Sequence, residues 1–192
     1  MEKTSGTRTD LARYDNSWYN PGPQWKRILW YFAGRAFINT YLPVPNSLKV
    51  VILRMFGARI GAGVTVKPRV NIKYPWFLTV ENNTWIGENV WIDNLIHVSI
   101  GRNVCLSQGA MLLTGNHDYT RPGFDLILGK IQLDDGVWIG AQAVVCPGVT
   151  CHNHAVLTVK SVATKNLEAY GIYQGNPAVF IKARNIKESD TH

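Results

Sequence analysis

Aliphatic or small apolar residues recur every six positions along most of the chain, in four runs. The first is Ile60, Val66 and Ile72, and the second Val80, Ile86, Ile92 and Val98. Ile100, Leu106 and Leu112 form the third, and the fourth holds Leu133, Ile139, Val145, Cys151, Leu157 and Ala163. Four residues after these positions the side chain is usually small or β-branched, as at Val64, Val70, Thr84, Val90, Ala110, Val137, Ala143 and Ala155. An amphipathic helix would space its apolar residues by three and four, and a half-buried strand would alternate. A period of six fits short flat strands joined by tight corners, each strand sending one aliphatic side chain into a shared core. Glycines such as Gly136 and Gly140 fall where those corners need positive φ or close backbone approach. The pattern predicts a mainly β protein, a solenoid of stacked coils.

The interruptions are as informative as the repeat. Ile72 to Val80 and Ile92 to Ile100 each carry two extra residues, which predicts small bulges at corners. Leu112 to Leu133 spans 21 residues and contains GNHDYTRPGFDLILGK, a polar Gly/Pro/Asp segment that reads as a functional loop at about 113–132. Residues 57–184 then form the β domain, 1–56 an N-terminal arm with helices, and 185–192 a polar tail. Within the N-terminal part, residues 1–23 read as an arm that packs by Tyr14, Trp18 and Tyr19. One helix is expected over about 24–40, carrying Trp25, Ile28, Leu29, Trp30 and Phe32, and a second over about 47–56, with Leu48, Val51, Ile52 and Met55 on one side.

A chain of 192 residues can bury a full core without disulfide or metal staples. Three cysteines without a CxxC pair read as reduced thiols of a cytoplasmic protein. No stretch is long and apolar enough for a membrane span, and the opening MEKTSGTRTD lacks the apolar core of a secretory signal. The formal net charge of +7 invites an anionic partner, but no nucleic-acid motif accompanies it, so nucleic acid is not expected. The first helix carries Lys26, Arg27 and Arg35 beside its aromatics. It either packs on the β domain or a second copy, or rests at the inner face of an anionic membrane.

The segments IGAGVTVKP, IGENVWIDN, IGRNVCLSQGAMLLTGNHDY, VWIGAQAVVCPGVT and YQGNPAVFIKAR resemble the hexapeptide-repeat acyltransferases. Together with DLARYDNSWYNPG and LRMFGARIG, they are similar to the branch described as colanic acid biosynthesis acetyltransferases. The resemblance spans about Asp10 to Arg184. It implies a left-handed parallel β-helix, a homotrimer, and acetyl-CoA held between neighbouring coils. The implied activity is O-acetylation of a sugar hydroxyl in exopolysaccharide or capsule synthesis. Direct transfer is expected, since no acyl-enzyme is required when both substrates bind together.

Such transfer needs a base, a donor to the developing oxyanion, and a grip on coenzyme A. The resemblance places the base at His117, whose residue type titrates near neutrality. Asp118 and Asp125, in the same loop, are candidates to orient the imidazole or to bind the acceptor. The oxyanion donor is expected to be the backbone N–H of Ala141. Trp138, with Asp93 and Asn94 in WIDN, matches positions that line the acceptor site in related sugar acetyltransferases. An acceptor-binding Asn of the galactoside enzymes falls near Trp85 here, which argues against a galactoside-like acceptor. Thr164, Lys165, Gly175, Asn176, Pro177 and Lys182 match the late coils that contact coenzyme A, the lysines serving its phosphates. Val179 replaces a basic residue often found there.

Two other classes share the repeat. A non-catalytic scaffold would leave His117 and GNPA without a role. The γ-class carbonic anhydrases need three zinc-binding histidines, and no second histidine follows His117 in the loop. No metal is expected.

Overall fold

The computed structural model describes residues 8–187; the ends of the arm and of the tail lie outside them. Short parallel strands stack into three sheets around one core. The first face holds Arg59–Ile60, Leu78–Val80, Val98–Ile100, Ile131–Leu133 and Thr150–Cys151. Thr65–Val66, Trp85–Ile86, Cys105–Leu106, Trp138–Ile139, Val156–Leu157 and Gly171–Gly175 form the second. Asn71–Ile72, Trp91–Asp93, Met111–Leu113, Val144–Val145 and Val162–Ala163 form the third. The chain visits the faces in rotation, which is a parallel β-helix of about six turns. Register follows the hexad: Val66 lies over Ile86, Ile86 over Leu106, Leu106 over Ile139, and Ile139 over Leu157.

All sixteen hexad residues named above are buried, and so are the small residues four positions on. The corners explain the second set. The residue before each small one takes positive φ: Arg69, Asn83, Asn89, Asn103, Gln142, His154 and Lys160 do so with side chains, Gly63, Gly109, Gly136 and Gly148 without. A left-handed residue turns the chain sharply, and the next Cβ then points inward, where only a small group fits. Gly140 serves another purpose, because a Cβ there would stand 2.6 Å from the Val159 nitrogen of the next coil.

The N-terminal helices close the open end of the solenoid. Helix α1 spans Gln24–Ala33 and runs on into a widened turn, Gly34–Ile38, with Asn39 N–H bonded to Gly34 O at 2.7 Å. In a 3.6-residue helix each four-residue step drifts by about 40°. The i→i+5 turn takes that drift back, so Trp30, Gly34 and Ile38 all face the β-helix and are buried. Helix α2 is Asn46–Met55. The expected apolar side was Leu48, Val51, Ile52 and Met55. The buried face is instead Lys49 and Leu53, while Leu48, Val51 and Met55 are exposed. The reason lies in the edge that α2 covers, a row of carbonyls in the first coil with no strand beyond them. Lys49 Nζ donates to Val66 O (3.0 Å), Arg54 Nη2 to Ile60 O (2.6 Å), Asn46 Nδ2 to Val64 O (2.8 Å) and, from α1, Trp30 Nε1 to Ile72 O (2.9 Å). At the other end, Ala178–Ala183 folds back antiparallel on Gly171–Gly175.

The two interruptions of the repeat fall on one corner, as bulges. The first contains a short 3-10 turn, Pro75–Phe77, and the second the turn from Asp93 to Ile96. The long insertion leaves the same corner one coil later as a hairpin, Gly115–His117 against Leu126–Leu128.

Candidate active site

The hairpin, the bulges and the arm converge on His117. The arm is pinned across the hairpin loop by Asp10 N–H to Pro122 O (2.9 Å), and its Tyr14 ring lies 5.9 Å from the imidazole. Together these elements enclose a cleft of about 610 Å³. Its walls are Tyr14 to Pro21 of the arm, Arg27 of α1, Lys73 and Tyr74 of the first coil, Asp93 and Leu95 of the second, and Gly115, His117 and Leu126 of the hairpin.

The imidazole is held in one orientation. Its Nδ1 lies 2.9 Å from the carbonyl oxygen of Phe124, and its ring stacks on the Phe124 ring at 4.6 Å. A carbonyl only accepts, so Nδ1 carries the proton and Nε2 keeps its lone pair in the neutral ring. Phe124 takes φ 56°, an unfavourable value for an aromatic residue, and that local backbone positions its carbonyl.

The carboxylates of the loop do other work than orienting the imidazole. Asp118 accepts from the Thr120 hydroxyl and from Thr120 N–H (3.0 Å), and these two bonds, with Arg121 Nε at 3.3 Å adding less, hold its carboxyl below the usual carboxylate range. Asp125 lies 3.7 Å from Arg121 Nη1. Both tie the loop together, and neither lines the cleft.

Asp93 and Asn94 part company. Asp93 faces the cleft, 3.2 Å from Lys73 Nζ. Asn94 is fully buried: Tyr74 N–H donates to its Oδ1 (3.0 Å) and its Nδ2 donates to Tyr74 O (2.6 Å). Its amide braces one bulge against the other, so the expected acceptor contact from Asn94 is corrected to a structural one.

Ala141 lies elsewhere. It sits on the corner between the second and third faces, whereas His117 hangs from the corner between the third and first. Its N–H has no acceptor among the described residues, although its carbonyl accepts from Lys160 N–H at 2.9 Å. Trp138 stands on the second face near that corner, 46% exposed, with Nε1 donating to Ser107 Oγ at 2.9 Å. Trp85 and Trp91 also point outward. Thr164 and Lys165 are exposed two coils beyond His117 on its own corner, while Gly175, Asn176 and Pro177 end the second face on the Ala141 side. Lys182 is exposed on the returning strand. One chain therefore carries the expected catalytic groups on two separate corners.

Residues that the sequence reading missed are Tyr19, Arg27, Lys73 and Tyr74. Tyr19 donates its hydroxyl to Leu95 O (2.7 Å), and burial beside Tyr74 and Asp93 raises its pKa, so it stays a neutral donor. The pairing of Tyr19 with Leu95 spans 76 positions, across both N-terminal helices and the first coils, and no local pattern announces it.

Comparison with known proteins follows the same outline. No protein-family model matches the chain. The putative colanic acid biosynthesis acetyltransferase WcaF of Escherichia coli (strain K12) is 36% identical over 157 residues, covering 81% of this chain and 86% of that one. The chain belongs to the hexapeptide-repeat acetyltransferases. Galactoside O-acetyltransferase of the same strain is 30% identical over 145 residues, covering 74% of this chain and 70% of its own. A hexapeptide-repeat acetyltransferase of Vibrio cholerae O1 biovar eltor, solved with acetyl coenzyme A, shares the fold with a TM-score of 0.75 at 22% identity, covering 87% of this chain and 93% of that chain. This chain is accordingly an acyltransferase with a β-helical scaffold. Among its described residues no helix is long and apolar enough to cross a membrane.

Proposed function

We propose that the protein transfers the acetyl group of acetyl-CoA to a sugar hydroxyl, in the synthesis of an exopolysaccharide or capsule. The observation that carries this reading is the imidazole at the cleft wall, with Nδ1 tied to Phe124 O and Nε2 left as a base. The acceptor enters the cleft and its hydroxyl meets Nε2, which takes the proton as oxygen attacks the thioester carbonyl. The carbonyl oxygen gains charge and is held by the Ala141 N–H. The imidazolium then returns the proton to the departing thiolate sulfur, so no acyl-enzyme forms and the ring ends neutral.

The two-corner arrangement supports a homotrimer. A cyclic assembly with heterologous interfaces sets one corner of each copy against a different corner of the next. His117 of one copy then faces Ala141 of its neighbour, with Trp138 beside it. Coenzyme A lies between them, against Thr164 and Lys165 on one side and Gly175, Asn176, Pro177 and Lys182 on the other.

Calorimetric titration with acetyl-CoA tests the donor. Saturable binding near one site per chain is expected. A folded preparation that releases no binding heat over a range of temperatures, and gains no thermal stability from acetyl-CoA, contradicts the reading.

We also propose that the enzyme works in the cytoplasm with α1 touching the inner membrane face. Only Trp30 of that helix is buried; Trp25, Ile28, Leu29 and Phe32 are exposed, with Arg35 exposed just beyond its end, while Lys26 is half-buried over the Trp76 ring. Such a face suits an anionic lipid surface. Co-flotation with vesicles rich in anionic lipid is expected at low salt, and its absence there overturns the membrane contact.

A further inference from the structure

The acceptor cleft continues into a second hollow of about 330 Å³ beneath α1. The two share Arg27, Lys73 and Tyr74, and the second adds Trp30, Tyr31, Arg35, Asn39 and Asn71. Their combined walls are aromatic and polar, which suits a glycan. The charged and titratable groups facing this space are Tyr14, Tyr19, Tyr31, Tyr74, Lys73, Arg27, Arg35, Asp93 and His117. Asp93 is the sole carboxylate among them, and Lys73 already balances it at 3.2 Å. Arg35 is stacked over the Tyr31 ring at 4.4 Å.

Arg27 is left over. It has no ion pair among the described residues, and its Nε is buried without an acceptor. Asp93 Oδ1, on the same cleft, is the oxygen that Lys73 Nζ approaches at 3.2 Å, and it has no other partner among the described residues. Leaving a charged buried donor unmatched is unfavourable, and a ligand that supplies its acceptor offsets that. Guanidinium prefers a planar or tetrahedral anion, which it grips through two N–H groups at once. The Asp93 carboxylate, with Lys73 on one oxygen, has acceptor capacity left for a hydroxyl.

We propose that the acceptor is an acidic sugar: its carboxylate or phosphate sits on Arg27 while its hydroxyls meet Asp93 and His117. This rests on the acetyltransferase reading and narrows its substrate class to uronates or sugar phosphates. A neutral glycoside leaves Arg27 unmatched and binds more weakly.

The test titrates glucuronate, galacturonate, glucose 1-phosphate and glucose into the protein saturated with coenzyme A. At least one anionic ligand is expected to bind about tenfold tighter than glucose, and whether the uronates or the phosphate lead identifies the anion. Arg27→Gln is expected to erase the difference, and Arg27→Lys to keep part of it. The same two variants are titrated with acetyl-CoA alone, where wild-type affinity is expected. Equal binding of charged and neutral sugars by the wild type, or no binding by any anionic ligand, overturns the proposal, as does a preference that survives Arg27→Gln. A loss of acetyl-CoA affinity in Arg27→Gln assigns Arg27 to the coenzyme phosphates and overturns it too. Failure of the acetyltransferase reading is seen separately, as wild type that does not bind acetyl-CoA.

Discussion

Replacing His117 by alanine is expected to lower kcat by about 10²–10⁴-fold, the usual contribution of a positioned general base. The KM for acetyl-CoA should change little, because in the proposed site the coenzyme is gripped by the late coils and the imidazole meets only its reacting sulfur. Fold loss is not a competing explanation here. The imidazole hangs from a hairpin outside the β-helical core, tied by one hydrogen bond to Phe124 O and one stacking contact. Steady-state kinetics with circular dichroism as a control checks this. Wild-type turnover in His117→Ala would remove the base from the mechanism.

The second large effect is expected at Ala141, and it needs a substitution that removes a backbone group. Ala141→Pro deletes the N–H, and loss of one oxyanion donor costs about 10²–10³ in kcat, or about 2.7–4 kcal/mol. The backbone tolerates proline there. The corresponding corner of the first coil is Lys67-Pro68-Arg69, with Arg69 at φ 56°, and Gly140-Ala141-Gln142 repeats it with Gln142 at φ 56°. Because Ala141 N–H has no acceptor among the described residues, no structural hydrogen bond is lost. Ala141→Ser, which keeps the N–H, should remain active. The two variants together separate the backbone donor from the side chain. A proline variant that folds and turns over like wild type would exclude the Ala141 amide as oxyanion donor.

The scaffold was legible in the chain because its physics is local. A coil of six-residue steps writes one inward aliphatic and one inward small residue per step, and all of these are buried. The breaks in phase were legible for the same reason, and they mark the corner that carries the cleft. The composition of the cleft was not. Tyr19 and Arg27 reach it from the arm and α1, and Lys73 and Tyr74 from a bulge more than forty residues later, so no spacing links them. The group that orients His117 was hidden in another way, being a main-chain carbonyl that side-chain identity cannot show. Asn94 stood in a motif beside Asp93, yet adjacent residues at a strand end point to opposite sides, and only one of them reaches the cleft. In α2 the apolar stripe was misleading because the first coil presents bare carbonyls, which the Lys49 ammonium can satisfy and a leucine cannot.

The central claim is that each active site is shared by two copies of the chain, with His117 from one and Ala141 from the next. Its most direct test is complementation. His117→Ala and Ala141→Pro, each inactive alone, are co-expressed with different tags and the mixed assemblies purified. In every mixed cyclic trimer, whichever variant contributes two copies, one of the three interfaces sets an intact His117 against an intact Ala141. About one third of wild-type activity is therefore expected to return. Mixed trimers without recovered activity would mean that both groups act within one chain, and the shared site would be wrong.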